Sequence, residues 1–347
     1  MRRLAVWTTT AAIALMGAAN AQTAETTSAP AASSDMQAAI AAYAAFHNDV
    51  SELRSSRIGN ANELEGALDR VGRHNRDALT RGWVAYGGMT AAQSPAFVRG
   101  VREAADYYGR DAVIWALSVD PSYARGLRGG QEVTRMLLDS ANADASRVVN
   151  VADRYQEMAY GLQRQRWANA VAPQQAARVQ RIRSLGRADQ PVQALPSEMS
   201  PRLSVATLSI SGSDPTAFGG RRFWDALRGG PEVTEVSATQ ATYQWRINPT
   251  RGMAVDRMAS LGALQALDAV NDHQSAASQL MSDQRSRDCL EMAQLQLYQC
   301  MSAARFRYEN AFCLGQHGLR DVGMCISAVA MPDGAAATAI STPANRH

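Results

Sequence analysis

From Asp35 onward, apolar residues recur at helical spacing, and polar or glycine-bearing breaks set the ends of each run. Asp35 is placed to cap a first helix through Ile40, Tyr43, Phe46 or His47, Val50 and Leu53, which Gly59-Asn60 interrupts. Leu64, Leu68, Val71, Leu79, Trp83 and Tyr86 form the stripe of a second helix, with Gly87-Gly88 as its stop. Ser94-Pro95 joins a capping hydroxyl to a first-turn proline and predicts a third helix from Pro95 to Tyr108; Asp120-Pro121 repeats the device. The segment from Gln131 to Val171 has no proline and one glycine. Its apolar positions, from Val133 and Met136 through Val148, Tyr155 and Leu162 to Trp167, predict one or two helices that Pro173 ends. Gln174 to Leu185 reads as a short Arg-rich helix, and Ser204 to Ile210 is the one plausible strand.

The pattern predicts an all-α fold, a helical bundle of packed helix hairpins. Residues 1–21 carry Arg2 and Arg3, an uncharged run from Leu4 to Gly17, and Ala19-Asn20-Ala21 before Gln22, the layout of a cleavable signal peptide. The apolar run is shorter than a spanning helix needs, and no later stretch reaches spanning length without charges, so no transmembrane segment is expected in the mature chain. Residues 22–34, rich in Ala, Thr, Ser and Pro, read as a flexible linker. An N-terminal helical region over 35–185 and a C-terminal one over 202–331 come next. Residues 186–201 between them hold three prolines, as a linker or crossover would, and 332–347 is a disordered tail.

Composition narrows the chemistry. All 35 cationic residues are arginine, so the chain has no lysine for a Schiff base or a phosphate loop. The formal charge of +3 falls to about +1 once Arg2 and Arg3 are removed, which argues against a nucleic-acid partner. With 46% hydrophobic and only 6% aromatic residues, the chain can bury a large helical core and suits no sandwich or barrel.

An octad occurs twice, Leu127-Arg128-Gly129-Gly130-Gln131-Glu132-Val133-Thr134 and Leu227-Arg228-Gly229-Gly230-Pro231-Glu232-Val233-Thr234. Asp120-Pro121 pairs with Asp214-Pro215 before it, and Asp153-Arg154 with Asp256-Arg257 after it, so two diverged repeat units of roughly 80 to 100 residues are expected. Pro231 at the Gln131 position shows that a helix begins at each octad, because proline is tolerated in the first turn. A turn with a helix cap accounts for the motif. The functional alternative is an anion-binding site of first-turn amides at Gly130 and Gly230 with Arg128 and Arg228.

Four cysteines, Cys289, Cys300, Cys313 and Cys325, are spaced nearly evenly, and in an exported chain they read as disulfides. Nested pairing, Cys289 with Cys325 and Cys300 with Cys313, suits an antiparallel helical hairpin turning near residues 306 to 307. That segment lacks turn residues, however, whereas Gly315-Gln316-His317-Gly318 has them, and a turn there would favour Cys313 with Cys325. No short C-x-x-C spacing supports a zinc site.

The run Tyr308-Glu309-Asn310-Ala311-Phe312-Cys313-Leu314-Gly315-Gln316-His317-Gly318, with Asp288-Cys289-Leu290 and Leu297-Tyr298-Gln299-Cys300 before it, resembles uncharacterised exported proteins of alphaproteobacteria. The likeness covers about the last 60 residues. It implies an exported, cysteine-bearing helical protein and carries no catalytic residue, cofactor or metal.

No G-x-S-x-G elbow and no H-E-x-x-H helix is present. His47, His74, His273, His317 and His347 are scattered singly and read as surface or partly packed residues. Tyr107-Tyr108, Trp115 and Tyr123 suit helix packing, with a sugar-binding groove as the functional alternative. The expected function is a non-catalytic binding or scaffold protein of the cell envelope, in the periplasm or secreted, with peptidoglycan or another envelope component as partner. The alternative is a peptidoglycan hydrolase or lyase using Glu and aromatic groove residues.

Overall fold

The computed structural model describes residues 35–187, 199, 220–228 and 245–332. The signal-type segment and its spacer, most of 186–201, the strand expected at Ser204 to Ile210, the second octad from Gly229 and Gly230 onward, and 333–347 lie outside the described residues.

The architecture is all-α. Six helices open it: α1 (Asp35–Ser55), α2 (Ala61–Gly72), α3 (Arg76–Ala91), α4 (Pro95–Tyr108), α5 (Arg110–Val119) and the single-turn α6 (Tyr123–Gly126). The central rod, α7 (Gly130–Leu162), runs for 33 residues, about 50 Å at helical rise. After α8 (Gln175–Leu185) and α9 (Gly220–Leu227) come β1 (Trp245–Ile247), α10 (Met253–Ala266), α11 (Gln274–Met281) and α12 (Gln284–Ala303). The chain ends its described course with α13 (Arg307–Cys313), a π-helical segment Leu314–Arg320, α14 (Asp321–Ser327) and β2 (Ala330–Pro332). The two short strands pair antiparallel, with Arg246 opposite Met331.

Local chemistry explains four of the helix starts. The Asn60 side chain accepts from Glu63 N at 3.0 Å, Asn75 from Ala78 N at 2.9 Å, Ser94 from Phe97 N at 3.3 Å and Asp283 from Ser286 N at 2.9 Å. Pro95 comes directly after its cap in the first helical turn, where the missing N–H is not needed.

Three helix boundaries depart from the periodicity. The stripe from Leu64 to Tyr86 is two helices, because Asn75 caps a new one after α2 ends at Gly72. Gly87-Gly88 does not stop α3, which runs on to Ala91. These glycines let α10 approach: a Cβ at Gly87 would lie 2.3 Å from Met258 Sδ, and one at Gly88 2.9 Å from Leu261 Cγ. A helix interior tolerates glycine at the cost of about 1 kcal/mol when close packing requires it. The long helix stops at Leu162 rather than near Pro173, and residues beyond it turn to meet the C-terminal hairpin.

Helices on both sides of 186–201 share one core: α3 packs on α1 and α10, and α7 packs on α9, α13, the π-helical segment and α14. Tyr43, Phe46, Leu68, Tyr86, Val148, Tyr155, Leu264 and Leu297 all lie inside it. The downstream pairs of the repeat occupy different places, Asp153 in the last third of α7 and Asp256 in the first turn of α10.

Two disulfides staple the C-terminal hairpin, Cys289 to Cys325 and Cys300 to Cys313, with Cα separations of 5.8 and 5.7 Å. The hairpin turns at Ala304-Arg305-Phe306 without glycine or proline. The turn is held instead by the chain before α8: Ala172 N donates to Arg305 O at 2.9 Å, and Tyr308 N to Ala168 O at 3.2 Å. The turn expected at Gly315 to Gly318 is not there. Those residues are π-helical, and Gly315 and Gly318 sit against α7 and Val71, respectively.

Candidate functional site

A polar cluster crosses the core where α1, α7 and α9 meet. On α1, Tyr43, His47, Ser51 and Arg54 succeed one another at helical spacing; on α7, Asp144 and Arg147 are three residues apart and share a face. Asp144 receives hydrogen bonds from Tyr43 Oη at 2.9 Å and Trp224 Nε1 at 2.6 Å. The His47 ring stacks on the Trp224 indole at 4.3 Å, nearly parallel. Arg147 donates to the His47 carbonyl at 3.2 Å and to Asp225 at 3.3 Å, and it also reaches Ser51 Oγ. Asp225 further accepts from Arg54 at 3.0 Å, and Arg228 pairs with Glu52.

This geometry sets the charge states. Burial pushes the Tyr43 phenol well above its ordinary range, reinforced by the Asp144 carboxylate. Burial, together with the positive charge of Arg147, holds His47 well below its usual value, so the ring is neutral at pH 7. A guanidinium only donates, so His47 Nδ1, 3.4 Å from Arg147 Nη1, is the acceptor and the ring proton sits on Nε2. That nitrogen faces Asp144 Oδ2 at 3.8 Å, too far for a hydrogen bond. Burial alone would raise the Asp225 carboxyl, but its bonds to Arg54 and Arg147 outweigh this and lower it.

A second cluster adjoins the α2–α3 junction. His74 Nε2 donates to Asp49 Oδ2 at 2.8 Å, and Arg73 Nε lies 3.0 Å from the same oxygen. Burial lowers His74 despite the opposing pull of Asp49, leaving it neutral. His47 and His74 are therefore not surface residues as their scattered positions suggested; each is enclosed beside an aspartate.

A His–Asp pair beside a tyrosine has the composition of acid–base machinery, but His47, Tyr43 and Asp144 are all completely enclosed. A general base must come within hydrogen-bond reach of its substrate, and these three side chains present no exposed surface, the cluster reaching solvent at Arg54 and Arg228. What the arrangement does is fasten α9 to α1 and α7 through Trp224, Asp225 and Arg228. Sequence periodicity missed it, although Asp144 and Arg147 stand on an otherwise apolar face with Leu137, Ala141 and Val148.

The octad residues are placed otherwise. Gly129 precedes α7 in a left-handed conformation, φ 80°, and Gly130 opens the helix. Arg128 is exposed and binds the Glu103 carboxylate at 2.8 and 3.1 Å, while Arg228 holds Glu52. The two arginines thus serve carboxylates on different helices, α4 and α1, rather than a common anion. In the first turn of α7, Glu132 accepts from Ser94 Oγ at 3.4 Å.

The aromatic residues of α4 and α5 correct the packing expectation. Tyr107, Tyr108 and Trp115 are 80%, 65% and 67% exposed, and only Tyr123 is packed against the core. Tyr107 and Tyr108 meet edge to face at 4.6 Å at the end of α4, and on α5 Trp115 and Val119, one turn apart, are both exposed. Exposed carboxylates at Asp106, Asp111 and Asp120 neighbour these residues in the sequence. No family model, curated protein or solved structure matches the chain.

Proposed function

We propose that the chain is an exported, non-catalytic binding protein of the cell envelope whose contact surface is the aromatic strip of Tyr107, Tyr108 and Trp115. The strip is the observation that carries the reading. Large aromatic rings left in water on two adjoining helices lose the stabilisation that burial would bring, about 1.5–3 kcal/mol each, and such surfaces mark interaction sites. The neighbouring aspartates accept hydrogen bonds from hydroxyl groups, which matches the chemistry of a glycan with apolar ring faces. Two disulfides suit an oxidising compartment, and no described helix is long and apolar enough to cross a membrane.

Sedimentation with purified peptidoglycan tests the reading. The oxidised protein is expected in the pellet, and Trp115→Ala combined with Tyr108→Ala should return it to the supernatant with an unchanged melting temperature. Release of soluble muropeptides by the wild type would replace binding with hydrolysis, and a protein that stays in the supernatant would overturn the wall reading.

A further inference from the structure

Arg76 is the one arginine in the core whose guanidinium is left unanswered among the described residues. It opens α3 and is only 2% exposed, and Nε, Nη1 and Nη2 are all buried without a hydrogen-bond partner. Arg147, equally enclosed, shows how this fold treats a buried guanidinium elsewhere, with a carboxylate, a hydroxyl and a carbonyl around it. Tyr298 of α12 is the group that acts on Arg76, and Arg76 in turn helps hold the buried His74 neutral. Tyr298 in turn lies beneath Arg183, whose guanidinium carbon is 5.0 Å from the ring centre, and bonds to Gln294. No carboxylate takes part. Burial lowers Arg76 to about 10, which still leaves it charged at neutral pH.

A charged guanidinium with five N–H donors is not stable in a protein interior without an acceptor. The usual solutions are an ion pair within the chain or a bound species that the chain does not supply. The first is absent here among the described residues. We infer that Arg76 holds a small inorganic anion inside the protein, beside the Tyr298 hydroxyl where α3 meets α12. Full enclosure restricts the occupant to an ion of about water size, which favours chloride over an organic acid. The site is separate from the aromatic strip and does not depend on the wall-binding reading. Its role is structural, as the counter-charge between α3 and the disulfide-bonded hairpin.

Chloride-35 NMR on the oxidised protein tests it directly. At constant pH and ionic strength, with gluconate as the replacing anion, the wild type should broaden the chloride line saturably. Arg76→Met, which keeps an unbranched apolar stem and removes the charge, should abolish the effect while its circular dichroism stays helical. Thermal melts supply a second readout: exchanging gluconate for chloride should raise the wild-type melting temperature and leave that of Arg76→Met unmoved. Equal broadening, or an equal thermal response, in the two proteins would overturn the site, as would a wild type that responds to neither anion. Failure of peptidoglycan binding would leave these readouts untouched.

Discussion

At the scale of single residues, the buried network sets how stability varies with pH. His47 and His74 have lowered values in the fold, so the folded state prefers the neutral ring. Their contribution is complete above the unfolded-state value near 6.5 and is lost as the pH falls below it, because the unfolded chain takes up protons first. Asp225, lowered by Arg54 and Arg147, acts in the same direction further into acid, below about 3.9. Asp69, Asp139 and Asp256, which burial raises, act in the opposite direction just above that value. The window from pH 7 to 5 therefore belongs to the histidines. Urea denaturation should show stability falling across it, with a shallower fall in His74→Gln; a flat wild-type profile would contradict the assignment. Asp225→Ala leaves Arg147 buried without its carboxylate and should destabilise by about 3–5 kcal/mol, whereas Asp225→Leu with Arg147→Met should recover most of the loss. Chemical denaturation of the single and double variants checks this.

At the scale of elements, the α7 start depends on two adjacent glycines for different reasons. Gly129 has φ 80°, and a Cβ there would lie 2.5 Å from Phe97 N. Gly130 has ordinary helical geometry, but a Cβ would lie 2.5 Å from Arg125 O. Gly129→Ala combines backbone strain with a clash against α4 and should cost about 2–4 kcal/mol. Gly130→Val, opposed by the clash alone, should cost about 1–3 kcal/mol. Guanidinium unfolding that finds both variants as stable as the wild type would remove the constrained entry to α7.

For the whole molecule, the two bridges close loops of 13 and 36 residues within the hairpin of α12 and α13–α14. Each is worth about 2–4 kcal/mol. Because α14 and the π-helical segment pack on α7, and α12 packs on α3 and α8, the hairpin is part of the core rather than an appendage. Reduction should lower the melting temperature by several degrees. Hydrogen exchange should show protection lost in α7 together with residues 284–327, not in the hairpin alone. Loss confined to the hairpin would show that the bridges stabilise only their own element.

Helical class, the capped start at Ser94 and the α7 start after Gly129 are local matters, and sequence by itself determines them, because a cap and a 3.6-residue period act within one or two turns. The even cysteine spacing likewise limits which sulfurs can meet across antiparallel helices. Features that depend on contacts remote in the chain were decided by tertiary structure alone. Gly87-Gly88 looks like a helix stop until α10 is laid against it. The hairpin turn at Ala304-Arg305-Phe306 has no turn residues because a distant segment supplies its hydrogen bonds. His47 and Asp144 lie nearly a hundred positions apart, and Arg76 reads as an ordinary first-turn arginine. Burial, which turns each of these into a costly charge or a neutral ring, belongs to the packed molecule and is written in no local pattern.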